Sequence, residues 1–322
     1  MTTPSTDLRV PAPATSLAGA SHRDRIFRIV LIGCALAVPA LLVALLLELV
    51  DGSRLAIAQF GFGFITTSIW DPVAGEFGAL PLIIGTLLTS FLALLMAVPL
   101  SLGVAIYLTE FAPHWLRRPV ATLIELLAAI PSVVYGLWGV FVLIPLLQST
   151  VFPFLRDTLG FLPFFTGVIY GPSVLAASLI LTIMIMPFIM SVSREVLLAV
   201  PGSQREAALA LGATRWEAVR SVILPYARSG IIGAVILGLG RALGETMAVT
   251  MLIGNRHEIA TSLFAPGYTM AAVIANEFNE AATPMHYAAL TYVALVLFVV
   301  TILVNAAARF LIWRVTRRGG AR

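Results

Sequence analysis

Charged residues are scarce in this chain of 322 residues: 11% are charged, whereas 59% are hydrophobic. A soluble fold of this length would carry far more charge, and several apolar spans of about 20 residues would produce this balance. Lysine is absent, so all 20 basic residues are arginine. The chain has one cysteine, Cys34, which lies in an apolar run. A single cysteine excludes a disulfide bond or a cysteine-ligated metal cluster within the chain. The composition predicts an all-α integral membrane protein.

Sequence signatures of catalysis are missing as well. The chain has no G-x-x-x-x-G-K-[ST] nucleotide loop, no H-E-x-x-H pair and no G-x-S-x-G elbow. Its histidines are scattered without the spacing of metal ligands, at His22, His114, His257 and His286. We therefore expect a protein that is not itself an enzyme, needs no cofactor, and takes the energy for any work from outside the chain.

Six apolar stretches are long enough to cross a hydrocarbon core of about 30 Å. Pro131, in the phrase AAIPSVVYGLWG, is expected to kink or interrupt the third stretch rather than end it. The predicted spans are residues 26–50, 80–108, 120–147, 171–192, 230–253 and 285–312.

The arginines are distributed unevenly among the segments that join these spans. If the N-terminus is inside, sixteen arginines lie in inner segments or at inner span ends, and only Arg54, Arg156 and Arg256 lie outside. Inner segments of membrane proteins are enriched in Lys and Arg, so this asymmetry predicts that both termini are cytoplasmic. It also places the polar connection 193–229 in the cytoplasm.

The polar connection before the fifth span predicts two helices joined by a tight turn. Ser203 with Glu206, and Thr214 with Glu217, each have the S/T-x-x-E spacing of a capping box. Gly212 lies between them and can adopt the left-handed backbone angles that end a helix. A DNA-binding helix-turn-helix has a similar rhythm. The apolar spans on both sides exclude it, so no nucleic-acid partner is expected.

Arg241 and Glu245 form a charged pair inside the fifth apolar span. Four residues apart, they would share one face of a continuous helix. Counted from Gly230, Arg241 lies about 16 Å into the span, near the middle of the bilayer. Ionisable residues at that depth usually mark a substrate or ion pathway. We interpret the pair as a substrate-pathway site, with a purely structural ion pair as the alternative.

The polar connection resembles the EAA loop of bacterial ABC importer permeases. The motif residues are Glu206, Ala207 and Ala208, followed by Gly212 and, ten residues later, by VILP. The phrases AAIPSVVYGLWG and GRALGETMAV are similar to those of phosphate importer permeases of the PstC type. The resemblance covers about residues 80–309.

This resemblance implies the type I ABC importer (MetI-like) permease fold with one extra N-terminal helix, in the bacterial inner membrane. The chain is then organised as a disordered cytoplasmic tail (1–25), a first transmembrane helix (26–50), an extracytoplasmic loop (51–79), a transmembrane domain (80–312) with a cytoplasmic coupling loop (193–229), and a cytoplasmic tail (313–322).

The resemblance also implies a function, that of a permease subunit in an ATP-driven phosphate importer. The expected partners are a second, PstA-like permease, a pair of PstB-like cytoplasmic ATPases, a PstS-like extracytoplasmic phosphate-binding protein and the lipid bilayer. In such importers the EAA residues, here Glu206, Ala207, Ala208 and Gly212, couple the permease to its ATPase.

Two other functions remain open at this point. A permease for another oxyanion, such as sulfate or molybdate, would keep the EAA loop, and an ion-coupled secondary carrier could use an intramembrane Arg–Glu pair. Arg241 presents a fork of donors that matches a phosphate group. Glu245 is expected to neutralise Arg241 between transport events and to accept the proton that phosphate carries and sulfate lacks.

Overall fold

The computed structural model describes the backbone of residues 22–319 and the side chains of residues 25–310. Of the predicted terminal tails, residues 1–21 and 320–322 lie outside the described residues. The helices are α1 (His22–Gly52), α2 (Arg54–Phe60), α3 (Gly63–Thr66), α4 (Leu80–Ile106), α5 (His114–Ala129), α6 (Ser132–Trp138), α7 (Ile144–Leu146), α8 (Phe152–Leu159), α9 (Val174–Leu198), α10 (Gly202–Ala210), α11 (Arg215–Ala218), α12 (Leu224–Gly244), α13 (Met247–Ile253), α14 (Met270–Glu277) and α15 (Pro284–Gly319).

Several of these helices continue into one another through π-helical turns. Such turns span Tyr107–Phe111, Gly139–Leu143, Leu147–Val151 and Val219–Ile223, and a 3₁₀ turn spans Pro163–Phe165. Within the described residues, six continuous helical stretches are long and apolar enough to cross a membrane: Arg25–Gly52, Leu80–Phe111, Ser132–Leu159, Val174–Leu198, Arg215–Gly244 and Pro284–Phe310.

Helix α9 is the centre of the packed core. It is 72% buried over its most apolar window, against 28–33% for the four other spans that follow α1. Helix α4 packs along it through a stripe of small residues four apart, which lets the two backbones come close. The stripe consists of Ala93, Ala97, Ser101 and Ala105, all fully buried. Ser101 Oγ also donates to the Met186 carbonyl of α9 at 3.1 Å, a contact worth about 0.6 kcal/mol in a membrane.

The third predicted span, residues 120–147, is wrong in its bounds. Helix α5 ends at Ala129, Ile130 and Pro131 are extended, and a new helix begins at Ser132. Proline disfavours a helical conformation in the residue before it, which explains the break at Ile130. The membrane-length stretch therefore starts after Pro131 and runs to Leu159. Pro131 interrupts the helix, as expected, but it separates α5 from the span rather than lying within it.

The fifth predicted span, residues 230–253, is also wrong as one continuous helix. A helical stretch runs from Arg215 to Gly244, and Glu245 has extended backbone angles (φ −69°, ψ 128°). A separate short helix, α13, follows and ends at Gly254, whose φ is +93°. Arg241 consequently lies in the last turn of α12, and Glu245 lies beyond that helix.

The segments that connect the spans form two structured regions. At what we call the hairpin end, residues 53–79 and 254–283, strands β1 (Trp70–Asp71) and β2 (Glu76–Phe77) pair in antiparallel register. The Asp71 carboxylate accepts backbone N–H groups of Val73 and Ala74 and closes the turn between the strands. At what we call the EAA end, residues 199–223, helices α10 and α11 follow the last turn of α9.

Candidate functional site: the EAA end, Arg241 and the hairpin end

Helix α10 carries the EAA residues and ends in the predicted left-handed turn. Gly212 has φ +85°. Its N–H donates to the Leu209 carbonyl at 3.0 Å, and the Ala213 N–H donates to the Ala208 carbonyl at 3.1 Å. This pair of hydrogen bonds is the Schellman motif, which satisfies carbonyls that a helix end leaves open. The predicted left-handed conformation of Gly212 is confirmed.

One of the two predicted capping boxes is present. The Thr214 hydroxyl accepts the Glu217 N–H at 3.3 Å, and the Glu217 carboxylate accepts the Thr214 N–H at 2.7 Å. The other prediction, Ser203 with Glu206, is wrong because α10 begins one residue earlier and is preceded by Pro201, without a side-chain cap. The Glu206 carboxylate is therefore not used to close the helix start.

The outer face of α10 and the turn after it leave an apolar and acidic surface uncovered. Ala208 is buried, whereas Glu206 and Ala207 are exposed. Leu211 is 89% exposed. Glu206, Ala207 and Leu211 are therefore accessible to another protein.

On its inner side, α10 is held by an ion pair that the sequence did not reveal. Arg205 Nη2 lies 3.0 Å from Glu110 Oε1, although the angle is not that of a hydrogen bond. The same nitrogen donates to the Leu197 carbonyl at 2.8 Å. Glu110 and Arg205 are 95 positions apart, so no local spacing could have signalled the contact.

Arg241 lies against an aromatic ring rather than against a carboxylate. Its guanidinium carbon is 4.3 Å from the centre of the Phe188 ring, a cation–π distance. Its Nε atom is buried and has no hydrogen-bond partner in the described part of the chain. The Tyr135 hydroxyl, which lies near the guanidinium, donates to the Leu127 carbonyl at 2.8 Å.

The structure does not join Arg241 to Glu245. Between these two described side chains there is no salt bridge, because the helix ends at Gly244 and the one-face geometry expected for residues four apart is lost. Both side chains are half-buried. Arg241 is thus a partly buried cation whose Nε has no hydrogen-bond partner among the described residues, and it lies at the junction of α6, α9 and α12.

A polar cluster at the hairpin end surrounds Glu277, which lies at the end of α14. Its carboxylate accepts from Trp70 Nε1 at 2.9 Å and contacts His257 Nε2 at 3.1 Å and His286 Nε2 at 3.2 Å. Trp70 stacks on His257 with ring centres 5.5 Å apart, and Phe77 stacks on His286 at 5.4 Å. Beside the cluster is a cavity of about 460 Å³.

Burial raises the pKa of Glu277, but the contact with His257 and the hydrogen bonds with Trp70 and His286 outweigh it, so the pKa lies below its usual value. The folded hairpin end therefore holds Glu277 as a carboxylate. No group of three or more side chains within the described residues has the arrangement of a metal site. The cluster joins three segments that are distant in sequence. The positions of its histidines in the sequence could not predict this contact.

Comparison with known proteins identifies the family. Residues 97–317 match the family described as binding-protein-dependent transport system inner membrane component. The chain is 50% identical to the phosphate transport system permease protein PstC of Haemophilus influenzae, over 89% of this chain and 92% of the relative. It is 48% identical to the PstC protein of Mesorhizobium japonicum, over 92% of each chain. The chain belongs to this family of permeases.

Solved structures confirm the fold of this permease. A bacterial alginate ABC transporter bound to a periplasmic protein matches 91% of this chain and 97% of its own with a TM-score of 0.62. The MetNI methionine ABC transporter matches 72% of this chain and 93% of its own, with a TM-score of 0.51. Sequence identities are 20% and 21%. The predicted MetI-like importer fold with six membrane spans is confirmed, and the permease is a multi-pass inner-membrane transport subunit.

Proposed function

We propose that this permease is one half of the transmembrane pathway of an ATP-driven importer of inorganic phosphate. The observation that carries the proposal is 48–50% identity to PstC proteins over about nine tenths of the chain. The similarity extends over whole transmembrane domains rather than one motif, and both relatives are phosphate transport system permease proteins.

Arg241 is the side chain that meets the anion in this proposal. It is a partly buried cation with an unused Nε donor, in the last turn of α12 and directly after the apolar run 230–240. A guanidinium presents several N–H donors in one plane and binds a phosphate oxygen pair with two of them. Stacking on Phe188 fixes the plane of the Arg241 guanidinium and leaves the N–H groups at its edge available to a ligand.

Glu245 is a second pathway residue in the proposal, but it acts separately from Arg241. Since no ion pair joins them in this chain, Glu245 is free to face the anion from the extended segment between α12 and α13. A carboxylate there disfavours a fully ionised anion and accepts a proton from one that carries it. Phosphate carries such a proton near neutral pH, and sulfate does not.

The EAA end is the proposed contact with a cytoplasmic ATPase. The exposed residues Glu206, Ala207 and Leu211 lie on α10 and its turn, while Ala208 and Gly212 fix the helix and the turn in place. This assignment makes both termini cytoplasmic and the hairpin end extracytoplasmic, where a phosphate-binding protein would dock. The ATPase supplies the hydrolysis, because the permease carries no nucleotide loop.

A second permease subunit is expected to pack against α12. Side chains added at Gly233, Gly240 or Gly244 would meet nothing within 4 Å, whereas one at Gly238 would lie 2.6 Å from Ile189 of α9. Leu237, on the same open side, is 62% exposed. Small residues on an open helix face allow a second helix to approach closely.

Uptake by purified components tests the proposal. The permease is reconstituted with a second permease, the ATPase pair and a phosphate-binding protein, and labelled phosphate is followed. We expect uptake that requires ATP, persists when ion gradients are collapsed, and is not reduced by excess sulfate or molybdate. Uptake that survives ATP removal but fails without an ion gradient would identify a secondary carrier, and competition by sulfate would identify a different oxyanion.

A further inference from the structure

We propose that Glu110 and Arg205 form a strut that joins the EAA helix to the transmembrane core and transmits its movement. The inference rests on the proposed function, in which α10 is the contact with the ATPase. It assigns a positioning role to two residues outside the EAA motif and outside the anion pathway.

The strut joins three elements through one guanidinium. Arg205 is on α10, Glu110 is in the π-helical turn at the end of α4, and Leu197 is in the last turn of α9. Arg205 Nη2 contacts both the Glu110 carboxylate and the Leu197 carbonyl, at 3.0 and 2.8 Å. A displacement of α10 therefore acts directly on the ends of α4 and α9, the most extensively packed pair of helices in the core.

Both charges of the strut are shielded from solvent. The Glu110 side chain is 14% exposed and that of Arg205 is 26% exposed. This contrasts with the pair Asp51–Arg54, which has the same 3.0 Å separation but side chains that are 65% and 76% exposed. Partly buried pairs are screened less by water, and removing one partner leaves an uncompensated charge.

Glu110 is also the carboxylate that balances a group of arginines. A cavity of about 220 Å³ beside the strut is lined by one acidic and three basic side chains, together with uncharged residues. The basic ones are Arg117, Arg205 and Arg215. Arg117 is fixed by donating from Nε to the Ala112 carbonyl at 2.9 Å. Without the Glu110 charge, the three guanidinium groups would repel one another and push α10 away from the core.

The location of Glu110 suits a mechanical connection. The turn Tyr107–Phe111 is π-helical and closes with the Ala112 N–H donating to the Tyr107 carbonyl at 2.8 Å. The turn ends α4, since Ala112 after it has extended backbone angles. Glu110 lies in this turn and contacts Arg205 of α10.

The test is the number of ATP molecules hydrolysed per phosphate imported by the reconstituted importer. Glu110→Gln and Arg205→Gln are expected to raise this ratio on the order of tenfold, while the ATPase still copurifies with the permease. The double variant is expected to be less impaired than the product of the two single effects, because neither charge is then left unpaired. Asp51→Asn, from the exposed pair of equal separation, should keep the wild-type ratio.

A charge-conserving variant keeps the test open if a neutral variant does not accumulate in membranes. Arg205→Lys keeps the charge but replaces the planar guanidinium with a flexible, strongly hydrated ammonium, which does not hold Glu110 and the Leu197 carbonyl in the same geometry, so its ratio should also rise. A wild-type ratio in these variants, or loss of the ATPase from every uncoupled variant, would overturn the strut. Failure of the wild-type importer to take up phosphate would instead refute the proposed function.

Discussion

Trp70 Nε1 donates a 2.9 Å hydrogen bond to Glu277 Oε2 across 207 positions of sequence. The bond joins strand β1, between the first and second spans, to helix α14, between the fifth and sixth. His257 and His286 contact the same carboxylate. These contacts to Glu277 therefore hold the hairpin end together as one unit rather than a set of independent loops. The stability of this unit depends on whether the Glu277 carboxylate is protonated.

Replacing Glu277 with Gln should make the permease less stable by an amount that depends on pH. The pKa of Glu277 is lower in the folded than in the unfolded protein. The carboxylate therefore contributes stability at pH values above its unfolded pKa and loses it as the pH falls through its folded pKa. In detergent, wild type should melt a few degrees above Glu277→Gln at neutral pH, and the difference should vanish at acidic pH. Glu280→Gln, in the same cavity lining, is the control. A constant difference across the pH range would contradict the assignment.

Gly212→Val should uncouple ATP hydrolysis from transport while leaving membrane insertion intact. Gly212 has φ +85° and open space around it, so the cost is backbone strain of about 1–2 kcal/mol, more for a β-branched residue. The measurement is phosphate uptake and ATPase activity at equal membrane abundance. Gly212→Asn, which tolerates the left-handed conformation, should retain most uptake, and Gly103→Ala, equally open but in regular helix, should match wild type. Normal uptake by Gly212→Val would show that this turn does not couple the subunits.

Cysteine labelling should place the hairpin end and the EAA end on opposite sides of the membrane. Val73 and Leu211 are 99% and 89% exposed, so in the permease expressed without its ATPase, cysteines there should react fully with a soluble thiol reagent. In a Cys34→Ser background, a membrane-impermeant maleimide added to spheroplasts should label Val73→Cys. It should label Leu211→Cys only after permeabilisation. The reverse pattern would invert the proposed orientation and exclude a cytoplasmic ATPase contact at α10.

Local features of the fold could be predicted from the sequence because their causes are local. The capping box at Thr214 and Glu217 depends on a spacing of three residues, and the turn at Gly212 depends on one residue without a Cβ. Six spans followed from hydropathy, which sums over about twenty neighbours. The prediction that failed locally was the Ser203 cap, where Pro201 sets the helix start instead.

The breaks within apolar stretches could not be placed from the sequence. Hydropathy does not distinguish a continuous helix from two helices with an extended junction, so Glu245 was expected on the same helix face as Arg241. Contacts between segments that are distant in sequence could not be predicted either. In the sequence, Arg205 and Glu277 show only their charge. Their partners, Glu110 and Trp70, are supplied by the tertiary fold.

Variants of Arg241 test the anion pathway most directly. Arg241→Ala should abolish phosphate uptake, because it removes the partly buried cation with a free donor. Arg241→Lys keeps the charge but loses the fork and its stacking on Phe188. It should transport at least tenfold more slowly, for a loss of about 1.4 kcal/mol or more in transition-state binding. Arg156→Lys, at an exposed arginine paired with its neighbour, should transport normally.

The break at Glu245 allows the pathway proposal to be distinguished from the alternative in which Arg241 and Glu245 only stabilise the fold. A structural ion pair can be replaced by apolar residues without loss, so that alternative predicts full uptake by the double variant Arg241→Leu, Glu245→Leu. Because the two side chains are not paired in this chain, the pathway proposal predicts that the second leucine restores nothing. Glu245→Gln alone should leave phosphate binding intact and slow its release, and should lessen the discrimination against sulfate. Uptake of both anions at matched abundance of all variants is the measurement, and full phosphate uptake by the double-leucine protein would reduce Arg241 to a structural residue.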